Sequence, residues 1–126
     1  MIEYAIEGQE VSRICVDFAV ALQTVDGVEL RIETAFAVTA SDNAPLLRVR
    51  ADDLGEAGGQ VLGLLRQRVA LAVVHDSGRL ELKFSGGGQL ICEPDCEFEA
   101  WILTAPSGER VVCSPGGGTV RWPDGS

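Results

Sequence analysis

The chain has 126 residues and a formal net charge of -9, with 46% hydrophobic and 23% charged residues. That length suits one domain around a single core and leaves no room for a second, so residues 1-126 are expected to form one domain with a frayed tail over 123-126. The acidic balance opposes approach to phosphate backbones and anionic lipid, which removes nucleic acid and membranes from the expected partners and leaves a basic protein as the natural complement.

No apolar run of about 18 residues occurs, as a membrane-spanning helix needs. The start Met1-Ile2-Glu3-Tyr4 lacks the basic region and apolar stretch of a secretory signal. A cytoplasmic location is therefore expected, with Cys15, Cys92, Cys96 and Cys113 as free thiols.

Ile14, Val16, Phe18, Val20 and Leu22 alternate with smaller or polar residues, the period of a strand buried on one face. Val28, Leu30, Ile32, Phe36 and Val38 continue that face beyond the turn Val25-Asp26-Gly27. A three-residue loop ending on glycine sets Leu22 opposite Leu30 and Val20 opposite Ile32, whereas a two-residue Asp-Gly loop would set Leu22 opposite Arg31. Ser41 to Ala44 reads as a loop, and Leu46 to Ala51 as an edge strand carrying Arg48 and Arg50.

Leu54, Ala57, Val61, Leu64 and Leu65 recur at steps of three and four after an Asp53…Glu56 pair of capping-box spacing, which predicts one amphipathic helix near Asp53 to Arg66. Gly55, Gly58, Gly59 and Gly63 weaken it by about 1 kcal/mol each relative to alanine, so it depends on packing against a sheet.

The loop Asp76-Ser77-Gly78 sets Val74 opposite Leu80, Ala72 opposite Leu82 and Ala70 opposite Phe84. Gly86-Gly87-Gly88, read as the next loop, sets Phe84 opposite Leu90 and Leu82 opposite Cys92. A last hairpin from Phe98 to Thr104 and Arg110 to Ser114 turns at Pro106-Ser107-Gly108, aligning Leu103 with Val111 and Trp101 with Cys113. The fold class is α+β: mainly an antiparallel β meander, a curved sheet or half-barrel, with one helix packed on it. No repeat is visible beyond the hairpins. Trp101, Phe84, Leu82, Val20, Ile32, Leu30 and Phe36 are expected in the core, with Trp122 covering one end.

Catalytic chemistry finds little material. His75 is the single histidine, beside a turn, and no Gly-x-Ser-x-Gly elbow or phosphate-loop glycine pattern occurs. Cys92, Cys96 and Cys113 with Cys15 or His75 could supply zinc ligands, yet two of these thiols stand alone within strand patterns, where cysteine packs as a small apolar residue. No cofactor and no metal are expected, and the chain reads as a non-enzyme. The unusual stretch is Glu93-Pro94-Asp95-Cys96-Glu97-Phe98-Glu99-Ala100-Trp101, with four carboxylates and no basic residue. Glu93, Asp95, Glu97, Glu99 and Trp101 are the candidate partner-binding residues: carboxylates beside an aromatic suit a lysine- or arginine-rich surface.

From about Val11 to Trp122 the chain resembles a family of small, mostly uncharacterised bacterial domains, some of them similar to immunity proteins of polymorphic toxin systems. The residues that carry the resemblance are Leu80-x-Leu82-x-Phe84, Phe98-Glu99-Ala100-Trp101, Pro115-Gly116-Gly117 and Trp122, with Asp17 and Asp26-Gly27 upstream. Phe98 stands where family members often have tyrosine. The resemblance implies a shared fold more than a function; the acidic charge motivates the leading reading, a non-enzymatic protein-binding module, an immunity protein whose acidic face covers a basic toxin. The alternatives are a small-molecule or metal-binding β-domain, and a self-associating domain whose open edges, such as Leu46 to Ala51, pair in a homodimer.

Overall fold

Alternation of apolar and polar residues along short segments produces eleven strands, and the computed structural model describes residues 5–123. They are β1 (Val11–Val16), β2 (Val20–Thr24), β3 (Glu29–Ile32), β4 (Ala35–Thr39), β5 (Leu47–Arg50), β6 (Val69–Val74), β7 (Leu80–Phe84), β8 (Gln89–Cys92), β9 (Trp101–Thr104), β10 (Arg110–Cys113) and β11 (Thr119–Trp122). All pairings are antiparallel, as hairpin connections dictate. The strands form two sheets rather than a closed barrel, in the orders β1-β2-β3-β9-β10-β11 and β5-β4-β8-β7-β6. One apolar cluster draws on both sheets, with Leu22, Leu30 and Trp101 from the first and Val38, Leu82 and Leu90 from the second.

The chain changes sheet twice, at Glu33-Thr34 and again between Glu93 and Ala100. This gives a pseudo-twofold topology that the sequence did not disclose. β1-β2-β3 is a meander that hands β4-β5 to the other sheet; β6-β7-β8 is a second meander that hands β9-β10 back. The register is equivalent too. Leu22 faces Leu30 as Leu82 faces Leu90, and Val20 faces Ile32 as Leu80 faces Cys92. Each half has a bulge at the same place, between Val11 and Arg13 and between Val69 and Leu71. The segments preceding β1 and β6 bond reciprocally: Val11 N–H donates to Gln67 O and Val69 N–H to Gln9 O, both at 2.9 Å. Gly8 and Arg66 occupy equivalent positive-φ positions, at 80° and 75°.

Most of the predicted registers are found, including Leu22↔Leu30, Val74↔Leu80 and Leu103↔Val111. Four readings are corrected. Ile14 to Leu22 is two strands, because Asp17 accepts from Ala19 N–H through Oδ1 and turns the chain, leaving Phe18 86% exposed. The triple-glycine hairpin turns at Ser85-Gly86-Gly87, closed by Phe84 N–H to Gly88 O, so Leu82 faces Leu90 and Leu80 faces Cys92. That two-residue slip keeps every side chain on its face, so hydrophobic pattern alone does not distinguish it. The β6 bulge sets Val69, not Ala70, opposite Phe84. The helix shrinks to a 3₁₀ turn at Gly55–Ala57 and α1 at Gly58–Leu62, with no side-chain cap from Asp53. Four glycines within so short a stretch leave only the part whose Ala57 and Val61 are buried in the core.

All seven predicted core residues are buried, but Trp122 is 46% exposed because β11 lies at the rim of its sheet with every residue open to solvent. Of the expected tail 123–126, residues 124–126 lie outside the described residues.

Candidate functional site

The acidic stretch is the second sheet-to-sheet crossover. Its base is fixed by the residues that carried the family resemblance. Trp101 opens β9 at 0% exposure, and its Nε1–H donates to Gly78 O at 2.9 Å, tying the β6–β7 turn to the core. Gly78 sits at φ 97°, and a Cβ there would lie 3.0 Å from Cys113 Sγ and from the backbone of Gly118, so no other residue fits. Gly118 N–H donates to Ser77 O at 2.8 Å, and Gly116 N–H donates to Asp95 O at 2.7 Å. The Pro115-Gly116-Gly117 turn therefore clamps the crossover against the β6–β7 turn.

Above that clamp the candidate residues separate by role. Trp101 is core alone, out of reach of any partner, because its indole fills the space between the sheets. Asp95 is structural: its Oδ1 accepts from Glu97 N–H at 2.8 Å and Phe98 N–H at 3.0 Å, curling the loop outward. Glu93 is engaged by Arg79, whose Nε lies 2.9 Å from Oε1, and Arg79 also reaches Glu81 at 3.0 Å. Glu97 and Glu99 are exposed and have no ion pair among the described residues. Phe98 lies between them, 60% exposed, and supplies the aromatic surface that Trp101 does not.

The crossover also forms one wall of an open depression of about 510 Å³, lined by Glu33, Thr34, Arg50, Asp52, Asp95, Cys96, Glu97 and Phe98. Sequence reasoning missed Glu33, Thr34, Arg50 and Asp52, which belong to the first crossover and the end of β5. Thr34 carried the available signal, since it interrupts the apolar face between Ile32 and Phe36. Arg50 is paired with Asp52 at 3.2 Å, which leaves the remaining carboxylates as the dominant charge.

Cys92 and Cys113 lie in the core, while Cys15 and Cys96 lie outside it. All four are unbridged; Cys96 is exposed on the crossover, Cys92 and Cys113 are buried, and Cys15 is half-buried on β1. Burial pushes the Cys92 thiol up to about 12 although the Thr34 hydroxyl lowers it, and burial raises Cys113 as well. Both stay protonated and unreactive at neutral pH. His75 Nε2 lies 3.3 Å from Glu81 Oε1 and does not line the crossover depression. No helix among the described residues is long and apolar enough to cross a membrane.

A family of unknown function, DUF6188, matches this sequence over residues 2–123. The chain belongs to that family. No curated protein and no solved structure matches it. Membership thus covers nearly the whole chain and agrees with an uncharacterised domain, while the role of the acidic crossover has to be argued from its own residues.

Proposed function

We propose that this DUF6188 member is a non-enzymatic protein-binding module whose acidic crossover contacts a basic partner, in the manner of an immunity protein covering a cognate toxin. The observation that carries this reading is the pair Glu97 and Glu99, carboxylates without an ion pair among the described residues, flanking the exposed Phe98 on a loop whose base is clamped. Unpaired charges cost the isolated protein little in water. They gain most when a guanidinium or ammonium group meets them, and a neighbouring aromatic face adds cation–π attraction. A clamped loop also loses less conformational entropy on binding than a free one. The net charge of -9 steers a basic partner toward the molecule from a distance.

The test is affinity capture from the native host with the wild-type chain and the Glu97→Lys/Glu99→Lys variant, alongside a growth-protection assay against any toxic domain encoded next to it. A basic protein held by the wild type and lost by the variant is the expected result. Retention by the variant, or protection that survives the charge reversal, would overturn the reading.

A further inference from the structure

The edge of β5 is the one place where the pseudo-twofold leaves a strand position open. In the other half, the equivalent strand β10 is covered by β11, with Val112 facing Val120. Among the described residues β5 pairs with β4 alone, apart from the isolated bridge between Arg50 and Asp53. The consequence shows in burial: Val111 and Cys113 are fully buried, whereas their counterparts Leu47 and Val49 are only half-buried. An open groove of about 520 Å³ is lined by all four β5 residues and by the segment 53–57, with Leu54 and Ala57 among its apolar residues and Asp53 and Glu56 among its charged ones. Main-chain groups point into it. Ala51 N–H turns inward to Thr34 O and Arg50 C=O turns outward to Asp53 N–H, so strand alternation gives Arg48 the outward direction. Arg48 also has no ion pair among the described residues.

We propose that this edge takes up an extended segment of another protein as an added antiparallel strand, with a carboxylate side chain opposite Arg48. Its alternate apolar side chains would cover Leu47 and Val49, as β11 lies beside β10 in the first sheet. A second copy of this chain is the wrong occupant. In-phase antiparallel pairing of β5 with itself sets Arg48 opposite Arg48, Arg48 opposite Arg50 or Arg50 opposite Arg50, and like charges in those positions are destabilising. The same guanidinium selects an acidic residue in a foreign strand. This site uses residues other than Glu97 and Glu99 and goes beyond the acidic-crossover reading.

The probe is the capped peptide Ser-Thr-Val-Glu-Val-Thr-Ser, compared with the version carrying Lys in place of Glu, and the readout is amide hydrogen exchange on the intact protein. In the free protein the Arg48 N–H exchanges freely, and the Glu peptide slows it about tenfold at saturation. The Lys peptide binds about two- to fivefold more weakly, and Arg48→Glu reverses that order. Glu97→Lys/Glu99→Lys leaves the protection in place, which separates this site from the crossover. Three results would overturn the proposal: an Arg48 amide already protected in dilute free protein, no slowing at millimolar peptide, or equal binding of both peptides. Concentration-dependent dimerisation that protects Arg48 would equally overturn it, in favour of a second copy.

Discussion

The two halves of this chain build the same five strands in the same order, and two of their differences hold the exposed chemistry. One is the crossover between sheets: two residues, Glu33 and Thr34, in the first half, against eight, Glu93 to Ala100, in the second. The other is the last strand of each half, where β10 is covered by β11 and β5 is bare. Shared features are those the core demands. Val20, Leu22 and Leu30 correspond to Leu80, Leu82 and Leu90, all buried. The unshared features hold the exposed chemistry, with Glu97, Phe98 and Glu99 on the long crossover and Arg48 on the bare edge. Departure from the pseudo-twofold thus points to the exposed chemistry of this molecule, because the shared core does not include Glu97, Phe98, Glu99 or Arg48.

Breaking the core equivalence should have the largest effect. Phe36 and Trp101 occupy corresponding places, each beginning the passage through the opposite sheet. Truncating either to alanine should destabilise the fold by about 3–5 kcal/mol in urea titrations. Trp101→Phe sharpens the contrast: it keeps an aromatic but strands Gly78 O, at a cost of about 1–3 kcal/mol that the Phe36 side has no means to show.

The second comparison is Cys92 against its counterpart Ile32, which has nothing to titrate. A thiol raised from 9.0 to about 12 keeps its full stabilising balance below pH 9, where folded and unfolded chains are both protonated. Above pH 9 the unfolded state ionises first, so stability falls by about 1.4 kcal/mol per pH unit until the folded thiol ionises near 12. Urea midpoints between pH 8 and 11 should show this decline, and Cys92→Val should reduce its slope. The smallest effect belongs to the crossover surface: Glu97→Lys/Glu99→Lys should move stability by no more than about 0.5 kcal/mol while it abolishes partner capture. A larger loss would mean that these carboxylates serve the fold instead.

Much of the architecture was legible because short-range chemistry fixed it. Loops closing on Gly27, Gly78 and Gly108 and the apolar faces around them set Leu22 opposite Leu30, Val74 opposite Leu80 and Leu103 opposite Val111, as the structure has them. The triple-glycine turn misled by two residues, since such a slip preserves alternation. The acidic stretch was visible as a charge run, but its division of labour was not. Asp95 and Trp101 hold the loop, while Glu97, Glu99 and Phe98 face solvent, and that split depends on the clamp by Gly116 and Gly118.

From its sequence alone this protein was determined to be an acidic, antiparallel β domain with short glycine-ended hairpins, because period-two alternation and left-handed turn positions are local properties of the chain. Tertiary structure alone decided that Thr34 and the 93–100 loop switch sheets, that β3 pairs with β9 and β4 with β8, and that Glu33 and Arg50 meet the acidic crossover. Those pairings join segments far apart in sequence, and they are selected by the need of two half-cores to bury each other, which no single hairpin can express.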